Sequence, residues 1–405
     1  MLALPILPLL LLLLLSGCSG KNNTADEAAV TAAPAQTEMP AEADDNAAEE
    51  SVRHNAARIA GSLDDRQLAA QVIISGIDGK GSLTHDMKLL LTECHAGGIM
   101  LFRYNLDTGN DAIKGLIAET VVLADIPPFV AVDHEGGTVN RFRPGVADLP
   151  PAISYWETEQ EIDKAAALIY ADSFNAGKAI NSLGVNVNLA PVVEYINENN
   201  REFLDDRSYG PDPAFTAAAA AAFITGMEHA GILCAVKHFP GSAGADPHLH
   251  PSVLTGDKAA LSELVSPFTE LILGNYARAL MVAHSAVPAW DDENIASLSP
   301  AVMGGWLRQE LRFNGIIICD DFSMGAAKST GSLKPETAAV LSLAAGADMI
   351  LVWPPDLRRT HRAIIAALAR GELSRERLED AARRIIFEKI RMGLMHEEWG
   401  MTDGG

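Results

Sequence analysis

Residues 214–238 read AFTAAAAAAFITGMEHAGILCAVKH and contain the unit that decides the fold. The alanine-rich stretch Ala214–His229 has helical spacing, and the short, almost continuous apolar run Ile232–His238 follows it. Runs of this kind are typical of strands in a parallel sheet that is covered on both faces. A strand that alternates with helices indicates crossover connections between parallel strands.

The same alternation continues along the chain from about residue 55. Eight short apolar runs occur, at Gln71–Ile77, Gly98–Phe102, Phe129–Asp133, Val185–Ala190, Ile232–His238, Ala279–His284, Gly315–Asp321 and Met349–Val352. Other stretches with helical spacing include Lys258–Leu273, Pro300–Leu311, Pro335–Ala345 and Arg375–Met392. Eight such units that close on themselves form a single α/β domain, a (β/α)8 barrel of the TIM type, which we predict here. An open doubly wound sheet is the alternative.

Charge and cysteine content exclude several classes of partner. The 405 residues include 31 Lys and Arg against 53 Asp and Glu, which gives a net charge of −22. Nucleic acids and anionic membrane surfaces would be repelled by such a chain, so neither is expected as a partner. Four cysteines are too few for a disulfide framework in a chain of this length.

The N-terminus has the pattern of a targeting segment. Residues 2–15 are almost entirely aliphatic, too short a run to span a bilayer but typical of a signal peptide, and Leu15-Ser16-Gly17-Cys18 resembles the lipobox of bacterial lipoproteins. We therefore expect a signal peptide over 1–17 and a lipid on Cys18, with no other membrane contact. The alternative is an ordinary secretory signal with an incidental cysteine.

The next segment is acidic and lacks aromatic residues. Residues 21–50 carry one Lys and eight acids, which favours a disordered linker over 18–50 and a folded domain over 51–405. The lipid would hold this domain in the bacterial cell envelope, outside the cytoplasmic membrane.

Ionisable residues end several of the predicted strands. Asp133 ends the third run, Lys237 and His238 the fifth, and Asp320 with Asp321 the seventh. In a barrel the C-terminal strand ends meet on one face, where active sites lie. The sequence therefore predicts an active site at that face.

Six short motifs stand out along the predicted barrel. The most specific is Lys237-His238-Phe239-Pro240-Gly241 followed by Asp246-Pro247-His248. The others are VDHEGG at 132–137, NLAPV at 188–192, DRSYG at 206–210, ASLSP at 296–300 and CDDFSM at 319–324. In their identity and order these motifs resemble those of the bacterial β-N-acetylhexosaminidases of glycoside hydrolase family 3, and the resemblance covers about residues 55–395.

The resemblance implies a retaining exo-glycosidase for terminal β-linked N-acetylglucosamine, in peptidoglycan fragments or other glycans. Asp320 corresponds to the family's nucleophile, with Asp321 as the alternative. His248 corresponds to the acid/base and Asp246 to the carboxylate that orients it. Histidine suits this role because its ordinary pKa, about 6.5, lies near the working pH.

The resemblance also implies a set of substrate contacts. The residues that would hold the sugar are Asp133, Arg141, Arg207, Lys237, His238 and His284. No metal or cofactor is implied, and we expect a monomer. Tryptophans 156, 290, 306 and 353 are expected mainly in the core, although aromatic rings also stack on sugars.

Several alternatives remain open. The loop after Gly241 is two residues shorter than is usual in the family, and Pro247 replaces a serine, which alters the setting of His248. His238, Asp246, His248 and His250 together would also suit zinc. A β-glucosidase-like or phosphorolytic enzyme of the same family, or a non-catalytic glycan-binding lipoprotein, are the other functional hypotheses.

Overall fold

The structure is a computed structural model that describes residues 42–244, 246, 249–324, 327 and 333–399. The predicted signal peptide, Cys18 and most of the predicted linker lie outside these residues, as does His248. Among the helices of the described residues, none combines the length and the apolar character that crossing a membrane requires.

Eight parallel strands close into a barrel, as predicted, and the open sheet is excluded. The strands of the chain are β1 (Ile73–Gly76), β2 (Gly98–Leu101), β3 (Phe129–Val132), β4 (Val187–Asn188), β5 (Leu233–Phe239), β6 (Ala279–Val282), β7 (Ala286–Val287), β8 (Asp291–Ile295), β9 (Ile316–Cys319) and β10 (Met349–Val352). Around the barrel their order is β1-β10-β9-β6-β5-β4-β3-β2, while β7 and β8 form a separate antiparallel hairpin.

Helices alternate with the barrel strands. They are α1 (Glu42–Ser62), α2 (Asp65–Gln71), α3 (His85–Cys94), α4 (Arg103–Leu106), α5 (Asn110–Val122), α6 (Ala152–Thr158), α7 (Ile162–Asn181), α8 (Arg201–Leu204), α9 (Pro213–His229), α10 (Lys258–Leu264), α11 (Ser266–Leu273), α12 (Pro335–Ala345), α13 (Pro354–Arg370) and α14 (Arg375–Arg391). Short 3-10 turns occupy Asp205–Arg207 and Ala296–Leu298, and a π-helix occupies Ala301–Glu310. The stretch predicted as one helix over 258–273 is therefore two, with Pro267 near the start of the second.

The alanine-rich helix α9 packs closely on α7, as its small side chains suggest. A Cβ atom added at Gly226 would lie 2.1 Å from Oγ of Ser173, and one added at Gly177 would lie 2.7 Å from Cβ of Ala230. Only small residues permit two helices to approach this closely.

The end of the barrel where the strands begin is held by a buried ionic cluster. Asp348, immediately before β10, accepts hydrogen bonds from Arg308 (2.5 Å), Arg377 (2.7 Å) and Arg384 (3.2 Å). Burial acts to raise the pKa of Asp348, but the guanidinium charges outweigh it and hold the pKa below its ordinary value. The cluster connects α14 to the barrel through Arg377 and Arg384, so this end of the barrel contributes to the stability of the fold.

The first helix begins inside the segment that the sequence predicts as a linker. Helix α1 starts at Glu42 and so overlaps residues 42–50 of that segment. Alanine and glutamate, which are frequent in this segment, are both good helix formers. Farther along the helix, Ala56, Ile59 and Ala60 are buried in the core, which anchors it.

Candidate active site

A cavity of about 140 Å³ opens at the C-terminal ends of the barrel strands. Its lining includes the six predicted substrate contacts and the predicted nucleophile, namely Asp133, Arg141, Arg207, Lys237, His238, His284 and Asp320. These residues are up to 187 positions apart in the chain, from 133 to 320, and the barrel topology brings them together. The convergence predicted from the strand ends is therefore present.

Buried ion pairs cover one wall of the cavity. The ammonium group of Lys237 pairs with Asp133 and lies 2.6 Å from Oε1 of Glu135. Arg141 donates to Oδ2 of Asp133 at 2.7 Å. Arg207 binds Glu135 through two hydrogen bonds of 2.8 and 2.9 Å. The side chains of Lys237 and Glu135 are each only 3% exposed, so the network is largely shielded from water.

The network fixes the charge of its members. Burial acts to raise the pKa values of Asp133 and Glu135, but Lys237 and the neighbouring arginines outweigh it and hold both below their ordinary values. Burial alone would lower the pKa of Arg207, yet Glu135 raises it. Both carboxyl groups are therefore ionised at neutral pH. The carboxylate oxygens of Asp133 lie at the cavity, where they can accept hydrogen bonds from sugar hydroxyl groups. Arg207 forms part of the cavity wall, and its two hydrogen bonds to Glu135 fix the orientation of its guanidinium group.

Glu194 positions the end of β5. Its Oε1 lies 2.8 Å from Nδ1 of His238, and its Oε2 accepts a 2.6 Å hydrogen bond from the backbone N–H of Ser242. The carboxylate thereby holds the imidazole, whose ring lines the cavity, and the beginning of the loop that leads to Asp246.

Asp320 and Asp321 differ in what surrounds them. Asp320 lines the cavity, and its Oδ1 accepts a 2.8 Å hydrogen bond from the backbone N–H of Asp321. The carboxylate of Asp321 accepts from Nε1 of Trp353 (2.5 Å) and from both the hydroxyl (2.5 Å) and the backbone N–H (2.8 Å) of Ser323. Asp321 is thus bound into the protein wall, whereas the side chain of Asp320 lines the cavity.

His284 is buried beneath this pair. Its Nε2 donates to the carbonyl oxygen of Asp321 at 3.0 Å, and its Nδ1 lies 2.7 Å from the hydroxyl of Ser297. Burial lowers the pKa of His284, so the ring is neutral at pH 7. Since both ring nitrogens are engaged by the protein, His284 positions the loop after β9 as well as lining the cavity.

The predicted acid/base pair is only partly described. Asp246 is half-buried and its carbonyl oxygen accepts from the backbone N–H groups of Leu249 and His250, which closes a turn. His250 is exposed. His248 lies outside the described residues, so its role and the zinc alternative stay hypotheses. Among the residues that are described, no group of three or more His, Cys, Asp or Glu side chains has the spacing of a metal site.

Sequence reasoning missed Glu135 and Glu194 as site residues. Glu135 lies within the quoted motif at 132–137 and Glu194 lies two positions after the motif at 188–192, and their partners Arg207 and His238 were themselves singled out. The signal available in the sequence was that each glutamate follows a motif residue, Asp133 or Val192, by two positions. The sequence did not indicate the partner of either glutamate, because Glu135 is 72 residues from Arg207 and Glu194 is 44 residues from His238.

A barrel with a carboxylate in a polar cavity at its strand ends is typical of glycosidases. The sequence pattern of "Glycosyl hydrolase family 3 N terminal domain" matches residues 65–387. The chain therefore belongs to glycosyl hydrolase family 3 and is a glycoside hydrolase.

Curated relatives and solved structures agree with this family. A "Beta-hexosaminidase" of Idiomarina loihiensis is 34% identical over 276 residues, which cover 67% of this chain and 80% of the relative. Another of Methylococcus capsulatus is 36% identical over 267 residues, covering 64% and 76% respectively. The structure of a family 3 beta-N-acetylglucosaminidase from Paenibacillus sp. matches with a TM-score of 0.75 at 30% identity, covering 82% of this chain. This chain spans 63% of the length of that Paenibacillus protein.

Proposed function

We propose that this protein is a retaining exo-β-N-acetylhexosaminidase that removes terminal β-linked N-acetylglucosamine from peptidoglycan fragments or other glycans. The names of the relatives and of the Paenibacillus structure support this substrate class. The observation that carries the proposal is the convergence of Asp320 with six polar and charged side chains on one small cavity. A cavity of this size at the end of a barrel suits a single terminal sugar, which favours an exo-acting enzyme.

In the proposed first step the carboxylate of Asp320 attacks the anomeric carbon, and the bond to the leaving oxygen breaks. Protonated His248 donates its proton to that oxygen, and a covalent glycosyl-enzyme forms. In the second step neutral His248 takes a proton from water, the resulting hydroxide displaces Asp320, and the sugar leaves with retained configuration. Asp246 orients the imidazole and stabilises its protonated form.

The charged side chains along the cavity wall suit the binding of a sugar. Lys237, Arg141 and Arg207 supply three positive charges, and Asp133, Glu135 and Asp320 supply three negative ones. Sugar hydroxyl groups then bind to acceptors and donors that are already held in place, so a sugar lacking one of those hydroxyl groups leaves a buried polar group unpaired.

We also propose that the protein is a monomer on a lipid tether, with a signal peptide over 1–17, an acylated Cys18 and an acidic spacer. The acyl chains supply membrane affinity, since the negatively charged spacer is repelled by anionic lipids. Cys18→Ser should move the protein from the membrane fraction to a soluble or uncleaved form. Tight membrane association of a cleaved Cys18→Ser protein would contradict the anchor.

A panel of 4-nitrophenyl β-glycosides, with and without inorganic phosphate, tests the activity. We expect N-acetylglucosaminide to be cleaved well and glucoside poorly, with free sugar as the product in both buffers. Preferred cleavage of the glucoside would favour the β-glucosidase-like alternative. A sugar 1-phosphate product would indicate phosphorolysis. Saccharide binding with no cleavage of any glycoside would indicate the non-catalytic binding protein.

A further inference from the structure

A second cavity lies at the end of the barrel where the strands begin, opposite the catalytic face. Its lining includes Arg278, immediately before β6, and Gly315, immediately before β9, together with residues of α1 and α14. The volume is about 330 Å³, within the range of small-molecule sites. This cavity and the catalytic cavity share no lining residue, so they are separate sites.

The lining of this second cavity carries an excess of positive charge in a strongly acidic protein. Five arginines line it against two glutamates, in a chain whose net charge is −22. The arginines are Arg53, Arg278, Arg312, Arg383 and Arg384, and the glutamates are Glu49 and Glu388. Positive charges concentrated in a concave site produce a field that attracts anions. The cavity is therefore suited to a negatively charged ligand.

Arg278 has hydrogen-bond donors that the protein does not use. Its side chain is 30% exposed, and the carboxylate oxygens closest to its nitrogens lie 3.4 Å away on Glu228 and 3.8 Å away on Glu388. Neither contact has the geometry of a hydrogen bond, and the buried Nε has no hydrogen-bond partner among the described residues. A guanidinium group that is mostly buried without acceptors is costly, and an anion in the cavity would supply acceptors to its exposed nitrogens.

Arg312 is held at the cavity in an unusual backbone conformation. Its φ angle is 56°, and that of Asn275, which also lines the cavity, is 57°. Of the residues that the structure describes, four other than glycine have a positive φ, and two of the four are at this cavity. Strained conformations of this kind concentrate at ligand sites. The side chain of Arg312 is exposed and forms no ion pair with any described residue, so its charge is available to a ligand.

We propose that this second cavity binds a soluble small molecule that bears phosphate. The inference goes beyond the proposed function, because the cavity lies at the other end of the barrel and takes part in no catalytic step. A phosphate group carries close to two negative charges near neutral pH and presents several acceptor oxygens, which match the planar, multiple donors of arginine. A soluble compound is favoured over a phospholipid headgroup, since the net charge of −22 repels an anionic bilayer but admits a small ion to a locally positive site.

Binding of inorganic pyrophosphate to the purified full-length protein tests the proposal. Pyrophosphate should raise the midpoint of thermal unfolding by about 2–4 °C relative to sodium chloride of equal ionic strength, because a ligand that binds only the folded state stabilises it. Titration calorimetry should show saturable binding to one site. Malonate, a dicarboxylate, should give a smaller shift, and an equal or larger shift would contradict the preference for phosphate. No shift and no binding heat with pyrophosphate would overturn the proposal.

Substitution of the cavity arginines locates the binding. Arg312→Gln removes an exposed charge without breaking an ion pair and should weaken pyrophosphate binding about ten-fold. The double variant Arg278→Gln with Arg312→Gln should weaken it further. Arg201→Gln is the matched control, because Arg201 is also exposed, forms no ion pair with any described residue and does not line the cavity. Unchanged affinity in Arg312→Gln, or an equal loss in Arg201→Gln, would overturn the site.

Two further measurements separate this site from the catalytic cavity and from a lipid surface. Arg141→Gln removes a positive charge from the catalytic cavity and should bind pyrophosphate as wild type does, whereas loss of binding in this variant would place the ion there. The Cys18→Ser protein should stay in the supernatant when vesicles of phosphatidylcholine and phosphatidate are sedimented. Sedimentation with these vesicles that Arg312→Gln abolishes would show that the cavity takes a lipid headgroup and would contradict the soluble ligand.

Discussion

Nε1 of Trp353 donates a 2.5 Å hydrogen bond to Oδ2 of Asp321, so the residue that follows β10 holds the second residue after β9. The backbone N–H of Asp321 in turn donates to Oδ1 of Asp320. Trp353 is therefore linked to the proposed nucleophile through Asp321 by two hydrogen bonds. This arrangement makes the direction of the Asp320 carboxylate depend on Trp353.

Trp353→Phe should preserve the stack on the ring of Phe102 and remove the donor to Asp321. We expect kcat to fall about ten-fold for every substrate, including small aryl glycosides, because a hydrogen bond to a charged group contributes about 1.5–3 kcal/mol. KM for a small glycoside should change little. Steady-state kinetics measure both constants, and a change confined to KM would show that Trp353 acts only as a binding surface.

The buried network around Lys237 should dominate the stability of the site. Lys237→Met leaves Asp133 and Glu135 without the ammonium group and should lower the free energy of unfolding by about 3–5 kcal/mol. Lys88→Met is the control, since Lys88 pairs with Glu119 at 2.7 Å but is 41% exposed, and should cost about 1 kcal/mol or less. Urea unfolding measures both, and similar losses in the two variants would contradict the network's importance.

Lys389 should make stability rise with pH. It is fully buried, its ammonium nitrogen donates to Oε1 of Gln71 at 2.7 Å, and burial lowers its pKa from 10.5 to about 7. Between these values the unfolded chain binds more protons than the folded protein, so stability increases as pH rises from 7.

Lys389→Met should remove this contribution. The difference in free energy of unfolding, wild type minus variant, should increase between pH 7 and 9 by up to about 1.4 kcal/mol per pH unit. Taking the difference between the two proteins cancels the contributions of titratable groups that both contain, such as the buried thiols. A difference that stays constant across this range would show that Lys389 titrates alike in both states.

The fold was predictable because it depends on local patterns, whereas the site depended on partners distant in sequence. Apolar runs and helical stretches alternate, so the barrel and the face where Asp133, Lys237 and Asp320 meet followed from the sequence. The choice between Asp320 and Asp321 did not follow from spacing, because Trp353, which binds Asp321, lies 32 residues away. Composition alone also did not indicate where α1 begins, because residues 42–50 combine the acidic charge of the preceding segment with good helix formers.

The acid/base assignment predicts a dependence on the leaving group. His248→Ala should slow a natural disaccharide by about 10²–10⁴-fold but an activated aryl glycoside much less, because the latter leaves with little protonation. Asp246→Asn should give a smaller loss in the same direction. Equal effects of His248→Ala on good and poor leaving groups, with a selective loss in His250→Ala, would transfer the role to His250.

The nucleophile is the central claim, and covalent labelling tests it most directly. A mechanism-based fluorosugar of N-acetylglucosamine should form a stable glycosyl-enzyme that adds one sugar to the intact mass, and peptide mapping should locate that sugar on Asp320. Asp320→Ala should remain folded, bind sugar, take up no label and lose turnover. A sugar found on Asp321, or normal turnover in Asp320→Ala, would contradict the account.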